Sequence, residues 1–281
     1  MIYYIKVRAR RRGWVRRMAL SHLFSPGCLF ILALFHLLAL PPLAVSAQVG
    51  EYRTDLAVGG SAGYVMSSIG FLPDVPQSLY GGKTAGLTLR YTCERYFKSI
   101  CALVAEVNYV QAGWKQDILD VNDEPIYFTD DTERSERLRY NRRINYLQVP
   151  FMARMGWGRE RRGLQAFIQL GMQVGYCLSE STDSNLDPQR SVTGLRSSVV
   201  VDQEKMPVEN KFDYGIVAGG GLELSLPRVG HVLLEGRYYY GLGNIYGNTK
   251  RDYFARSNHG QIVIKASYLF DFIRTRNPKI R

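Results

Sequence analysis

From about residue 50 onward, apolar and polar side chains alternate with a period of two. In Leu103 to Tyr109, the residues Leu103, Ala105, Val107 and Tyr109 share one face, while Glu106 and Asn108 share the other. A period of two is that of a β-strand whose faces meet different surroundings. The same reading covers Phe167 to Tyr176, where Ile168, Leu170, Met172, Val174 and Tyr176 alternate with Gln169, Gly171, Gln173 and Gly175. It covers Ile262 to Phe270, with Ile262, Ile264, Ala266, Tyr268 and Phe270 on one face, and Tyr214 to Leu226, where Ile216, Ala218, Leu222 and Leu224 oppose Gly219, Gly221, Glu223 and Ser225. Weaker alternation occupies about 54–69, 83–93, 143–157 and 230–243.

These make eight segments, each long enough for a tilted membrane strand, which needs roughly 9–11 residues. The gaps between them, 70–82, 94–100, 115–142, 158–163, 179–210, 227–229 and 244–257, alternate long and short. An up-and-down barrel in an outer membrane has long extracellular loops and short periplasmic turns, and so requires that alternation; a soluble sandwich does not. The pattern therefore predicts an all-β fold, an eight-stranded antiparallel up-and-down transmembrane β-barrel. Tyr64, Tyr91, Tyr109, Trp114, Tyr146, Trp157, Tyr176, Tyr214, Tyr238, Tyr240, Tyr268 and Phe270 fall near strand ends, where an interfacial aromatic girdle would stand.

The N-terminus carries a different pattern. Lys6, Arg8, Arg10, Arg11, Arg12, Arg16 and Arg17 precede an apolar run from Cys28 to Leu40, which is followed by Pro41, Pro42 and Val45-Ser46-Ala47. A basic region, an apolar core and small residues in that order form a secretory signal peptide. The run is too short for a membrane helix and ends in prolines. Residues 1–47 are thus expected to be a signal peptide cleaved after Ala47, and residues 48–281 the barrel with a short basic tail. Cys28 lies ahead of the apolar core, so it goes with the signal peptide rather than with a lipid anchor.

Export changes the meaning of the charge. Removing residues 1–47 takes seven positive charges and no negative ones from a formal +11, which leaves +4. Nucleic acid is therefore not an expected partner, since the basic excess belongs to the leader. Outer-membrane lipid is the expected surround.

An eight-stranded barrel has an interior only wide enough for side chains. The alternation points Arg90, Glu106, Arg154, Glu223, Glu235, Arg237 and Lys265 inward, together with Gln148, Gln169 and Gln173. An isolated charge there would cost several kcal/mol, on the order of 3–5, so both signs are expected to pair in a structural network. Gly59, Gly60, Gly63, Gly171, Gly175, Gly215 and Gly219–Gly221 sit within strands, where they admit large neighbours rather than phosphate.

Catalysis finds little support. After the leader only His231 and His259 remain, and the meander puts them at opposite ends of the barrel. His259 with Ser257 and a loop acid could be assembled only by assumption. Asp183-Ser184-Asn185-Leu186-Asp187 opens like a calcium loop, but Pro188 stands where Gly is needed and Gly194 where a bidentate Glu is needed. The acids Asp117, Asp120, Asp123, Glu124, Asp130 and Asp131 then read as solvated loop. No metal, cofactor or catalytic site is expected. Cys93 and Cys101 flank the short second connection in an oxidising compartment, and a disulfide between them is expected; Cys177 is left over.

The segment Arg143-Ile144-Asn145-Tyr146-Leu147-Gln148-Val149-Pro150-Phe151-Met152-Ala153-Arg154 resembles a strand motif of the PorT-like outer-membrane β-barrel family, which reads approximately Tyr-Leu-Glu-Ile-Pro-Leu-Leu-Lys after a long loop. Gln148 stands where an acid is common. The glycine-rich first strand, Phe167 to Gly175 and a last strand ending Tyr-Leu-Phe are similar too, so the resemblance spans about 54–272. The chain departs by running on past Phe270 into a tail with Arg274, Arg276, Lys279 and Arg281. The resemblance implies a non-enzymatic integral barrel that binds secretion or cell-envelope proteins, as an accessory of type IX secretion; a small porin or passive channel is the alternative, and a barrel enzyme ranks behind both. Function is expected in the loops 115–142 and 179–210, which carry Tyr127, Phe128, Arg134, Arg137, Arg139 and Arg142 in one and Leu195 and Val199–Val201 in the other.

Overall fold

The computed structural model describes residues 51–96, 99–128, 136–159, 162–186, 192, 195–197, 202–247 and 253–274. The expected leader, 1–47, lies outside them, as do Arg276, Lys279 and Arg281 of the tail. Eight strands are present: β1 (Glu51–Leu72), β2 (Gln77–Tyr96), β3 (Ser99–Gln116), β4 (Tyr140–Gly158), β5 (Gly163–Ser184), β6 (Phe212–Leu226), β7 (Gly230–Gly241) and β8 (Arg256–Ile273). Each pairs antiparallel with the next, and β8 closes on β1. A closed barrel leaves no strand edge without hydrogen-bond partners, the condition for crossing lipid.

The register fixes the barrel's stagger. From Val58 the pairing runs through Leu89, Ala105, Phe151, Met172, Ile216, Tyr240 and Gly260, and returns to β1 at Ser68, ten residues higher. Strand number and stagger together set a narrow, tilted cylinder with room inside for side chains only.

Outward positions are apolar, as the period predicts. Leu87, Leu170, Met172, Leu234 and Ile264 are all exposed on the outer wall. Tyrosines mark the two rims of this band by the direction of their rings. Tyr64 lies over Gly81, so closely that a Cβ there would meet its hydroxyl at 1.8 Å, and Tyr238 likewise reaches toward Gly260 at the long-loop end. Tyr268 points the opposite way and donates to the Val229 carbonyl in the short turn. Rings that point away from the middle at both ends are those of an apolar–water interface.

Three expectations need correction. Trp114 and Tyr146 are fully buried inside the barrel rather than in the girdle. Trp114 shares the inward face with Val110 and Ala112, and a register shift between Asn145 and Tyr146 leaves three consecutive buried residues, Ile144 to Tyr146. Next, the first loop is only residues 73–76, because β1 and β2 go on pairing as far as Ser67 and Tyr80, and the Gln77 side chain then bonds the Ile69 backbone. Finally, no disulfide joins Cys93 to Cys101. Cys101 pairs with Glu94 across a register shift, so Cys93 is the extra residue of a bulge, and its thiol donates to the Cys101 carbonyl at 3.4 Å instead.

Candidate functional site

The interior has two storeys. In the lower one, toward the short turns, all seven predicted lumen charges are buried and brought together. Glu106 accepts Arg237 at 2.5 and 2.8 Å, Lys265 at 2.7 Å and the Asn108 amide at 2.8 Å. Glu235 takes Arg237 at 2.5 Å, Lys265 at 3.1 Å and the Gln169 amide at 2.9 Å. Glu223 takes Arg90 at 2.5 Å and Arg154 at 3.4 Å, while Arg154 also lies over the Phe167 ring at 3.8 Å. Each carboxylate thus has at least two cationic partners, which offsets the cost of burial.

Glycines make room for this. A Cβ on Gly63 would meet that of Lys265 at 2.5 Å, and one on Gly219 would meet the Arg237 backbone at 2.9 Å. Without side chains at these points, the long cationic stems lie flat against the wall.

His231 is a member that sequence reasoning set aside as an isolated histidine. Its Nδ1 lies 2.8 Å from Glu223 and its Nε2 3.0 Å from Asp271. The Ser225 hydroxyl lies 2.9 Å from the same Nδ1, so the ring is held between two carboxylates and a hydroxyl. The signal was available: β7 begins at Gly230, so His231 faces inward beside Glu223 through Ser225, its partner in register.

The upper storey is apolar. Phe71 meets Trp114 edge-on at 5.4 Å and Phe254 at 5.0 Å, and Tyr246 stacks on Phe254 at 5.6 Å. Ile118, Ile126, Phe128, Leu138 and Val208 come down from the long loops into this cluster. The loops are held to the barrel by Arg142, whose guanidinium donates to the carbonyls of Gln203 and Met206 and to Glu180, and lies 5.7 Å from the Trp114 ring. Between the storeys, His259 is buried with its Nε2 2.9 Å from the Tyr146 hydroxyl. The Ser257 hydroxyl accepts from the Tyr246 backbone instead and makes no hydrogen bond to His259.

The two long loops are woven together above this core. Isolated bridges join Leu119 to Pro125, Asp120 to Arg196, Tyr127 to Arg137 and Phe128 to Val192. Asp120 accepts the backbone N–H of Asn122 and Glu124 at 2.8 and 2.9 Å, and these bonds hold its carboxyl below the usual carboxylate range. Of the supposed calcium loop, Asn185 is spent on the backbone of Arg139 and Arg137. Phe128 and Arg142, expected on a recognition surface, are instead structural and buried. Arg134, Asp130, Asp131, Asp187, Pro188, Gly194 and Val199–Val201 lie outside the described residues. The most exposed aliphatic side chains of the woven loops, among the described residues, are Val121, at 75%, and Leu195, at 83%, next to the Asp120–Arg196 bridge.

A family profile described as "Outer membrane protein beta-barrel domain" matches residues 46–247. No curated protein sequence matches the chain. Among solved structures, the attachment invasion locus protein Ail of Yersinia pestis is similar over 76% of this chain and 98% of its own, at 14% identity and a TM-score of 0.32. Neisserial surface protein A is similar over 76% and 97%, at 11% identity and a TM-score of 0.37. The outer membrane protein OprG from Pseudomonas aeruginosa is similar over 79% and 98%, at 14% identity and a TM-score of 0.33.

Proposed function

The chain belongs to the outer membrane protein β-barrel domain family, and from that premise we propose a non-enzymatic, non-conducting barrel whose capped extracellular face binds another cell-envelope protein. One observation carries the reading: both storeys of the lumen are filled, while the woven loops above them turn Val121 and Leu195 to the solvent. Exposed aliphatic side chains side by side at the tip of the cap are what a protein partner would cover. The finer reading, an accessory of type IX secretion like PorT, rests on the strand motif from Tyr146 to Arg154.

The filling also weighs against a passive pore, because ions would have to displace paired, buried charges and then an aromatic core. An enzymatic role is disfavoured by the position of His259 beneath the cap and His231 at the other end.

The test is substitution of the tip. The double variant Val121→Asp, Leu195→Asp should remain a heat-modifiable barrel and lose the protein that cross-links to the wild-type cap in intact cells. If the same partner is captured unchanged, the binding surface lies elsewhere. Bilayer recordings of the wild type should show no steady conductance, and an open channel would overturn the closed-lumen reading.

A further inference from the structure

Sulfur gathers on one patch of the outer wall, near the short turns. Cys93 follows Leu89 and Tyr91 on β2, Cys101 precedes Leu103 and Ala105 on β3, and Met155 alternates with Ala153 and Trp157 on β4, so the pleat turns all three away from the lumen. We propose that Cys93, Cys101 and Met155 form a site for a soft monovalent metal ion, Cu(I).

Register brings the three together. Cys101 and Met155 are directly opposed across β3 and β4, which sets their Cβ atoms roughly 4.5–5.5 Å apart. Cys93 is the extra residue of the β2 bulge, and its thiol reaches the Cys101 carbonyl at 3.4 Å. The same three side chains line a groove of about 350 Å³ together with Leu103, Ala153 and Leu170. Ala153 opens this groove, because it pairs with Leu103 on one side and Leu170 on the other and sets only a methyl group between them. Height adds to the case. Leu103 pairs with Tyr91, and Ser99 with Trp157, so Cys101 lies between two aromatic levels at the short-turn rim. Aromatic side chains there mark the lipid–water interface, where an ion arriving from the periplasm can enter.

Ligand type narrows the metal. Thiolate and thioether sulfur are soft donors and select Cu(I) over harder ions. Zinc wants four ligands drawn from thiolate, imidazole and carboxylate, and among the described residues no three His, Cys, Asp or Glu side chains gather to hold an ion. Binding of copper already in its monovalent state needs no electron. The two S–H protons pass to water, two Cu–S bonds form to the thiolates, and a lone pair of the Met155 sulfur supplies the third. The product carries one negative charge, which is tolerable at the interface, within reach of water, and costly at mid-bilayer. No short motif announces such a site, since the two thiols stand eight positions apart and the third sulfur comes from another strand.

The barrel in detergent micelles, kept anaerobic with ascorbate, tests this by competition for Cu(I) against bicinchoninate. The wild type should withdraw a single ion per barrel, X-ray absorption should show that ion surrounded by sulfur alone, and zinc in excess should leave it in place. The double variant Cys93→Ser, Cys101→Ser should leave the copper with the competitor. Met155→Leu should weaken binding at least about tenfold and remove one sulfur from around the metal. Two controls should bind as the wild type does: Met172→Leu, a thioether elsewhere on the outer wall, and Cys177→Ser, a thiol at the long-loop end. Heat-modifiability establishes folding; if the double variant fails to fold, the two single cysteine variants and Met155→Leu carry the test. Undiminished binding by these variants, loss of binding in either control, nitrogen or oxygen neighbours around the copper, or its displacement by zinc would overturn the proposal. So would peptide mapping that finds Cys93 and Cys101 linked to each other in freshly prepared membranes, since no thiol pair would then be there to bind.

Discussion

The lower lumen is filled by three carboxylates with Arg90, Arg154, Arg237 and Lys265, and the upper by Phe71, Trp114, Tyr246, Phe254 and the aliphatic residues of the loops. Both fillings occupy the lumen, by different physics. The lower one depends on mutual satisfaction, because each buried charge is stable only while its partners are present. The upper one depends on area and fit, so its loss is graded and local. The charges also stand on strands that pair on both sides, whereas much of the apolar filling hangs on loops. Damage below should therefore be felt by the whole barrel, and damage above mainly by the cap.

The sharpest way to break this contrast is Glu106→Ala, which leaves Arg237 and Lys265 sharing Glu235 alone. It should lower barrel stability by about 3–5 kcal/mol. Urea titration of the unboiled gel band checks it; an unchanged midpoint would mean that the network is not what holds the lower storey.

Trp114→Ala removes the ring at the centre of the upper cluster, which should cost about 3 kcal/mol. Here the readouts should separate. Limited proteolysis between residues 117 and 139 should speed up markedly while heat-modifiability persists, and concerted loss of both would merge the two storeys into one unit.

Arg142→Met keeps the stem but removes the donors to the Gln203 and Met206 carbonyls and to Glu180. About 2 kcal/mol of cap stability should go. Hydrogen exchange should rise in residues 202–208 and not in β6 or β7; a rise confined to the lower strands would contradict the assignment of Arg142 as the loop strap.

The smallest effect concerns Asp120. Its carboxyl is held below the usual range by the N–H groups of Glu124 and Asn122, so its contribution is complete above its unfolded value, about 3.9, and is lost as pH falls through the lowered one. Protection of the Glu124 and Asn122 amides, taken relative to their intrinsic exchange rates, should therefore be full at neutral pH and fall on strong acidification, and Asp120→Ala should remove that change in protection.

Much of the lower storey was legible because a period of two assigns each side chain to a face without any long-range information. Glu106, Glu223 and Lys265 followed directly from alternation with Val107, Leu224 and Ile264. The cysteine pair did not follow, since one extra residue at Cys93 shifts everything past it and a bulge leaves no mark in the period. Tyr146, by contrast, shares the inward parity of Gln148 and Arg154, so its burial was legible in the period. Phe128 and Arg142 looked like surface recognition groups because nothing local distinguishes a loop that stands in solvent from one that folds back over its own barrel.

The sequence by itself determined the eight strands, their order and which residues face inward, because these follow from backbone pleat and from the need of a lipid-facing wall to be apolar. Only the tertiary structure decided which lumen charge meets which, that His231 bridges Glu223 and Asp271, and that two long loops interlock into a cap. Those outcomes depend on the ten-residue stagger and on contacts between residues far apart in the chain, such as Arg142 with Gln203 and Asp120 with Arg196. Closure of the barrel, a property of all eight strands at once, brings these residues within reach of each other.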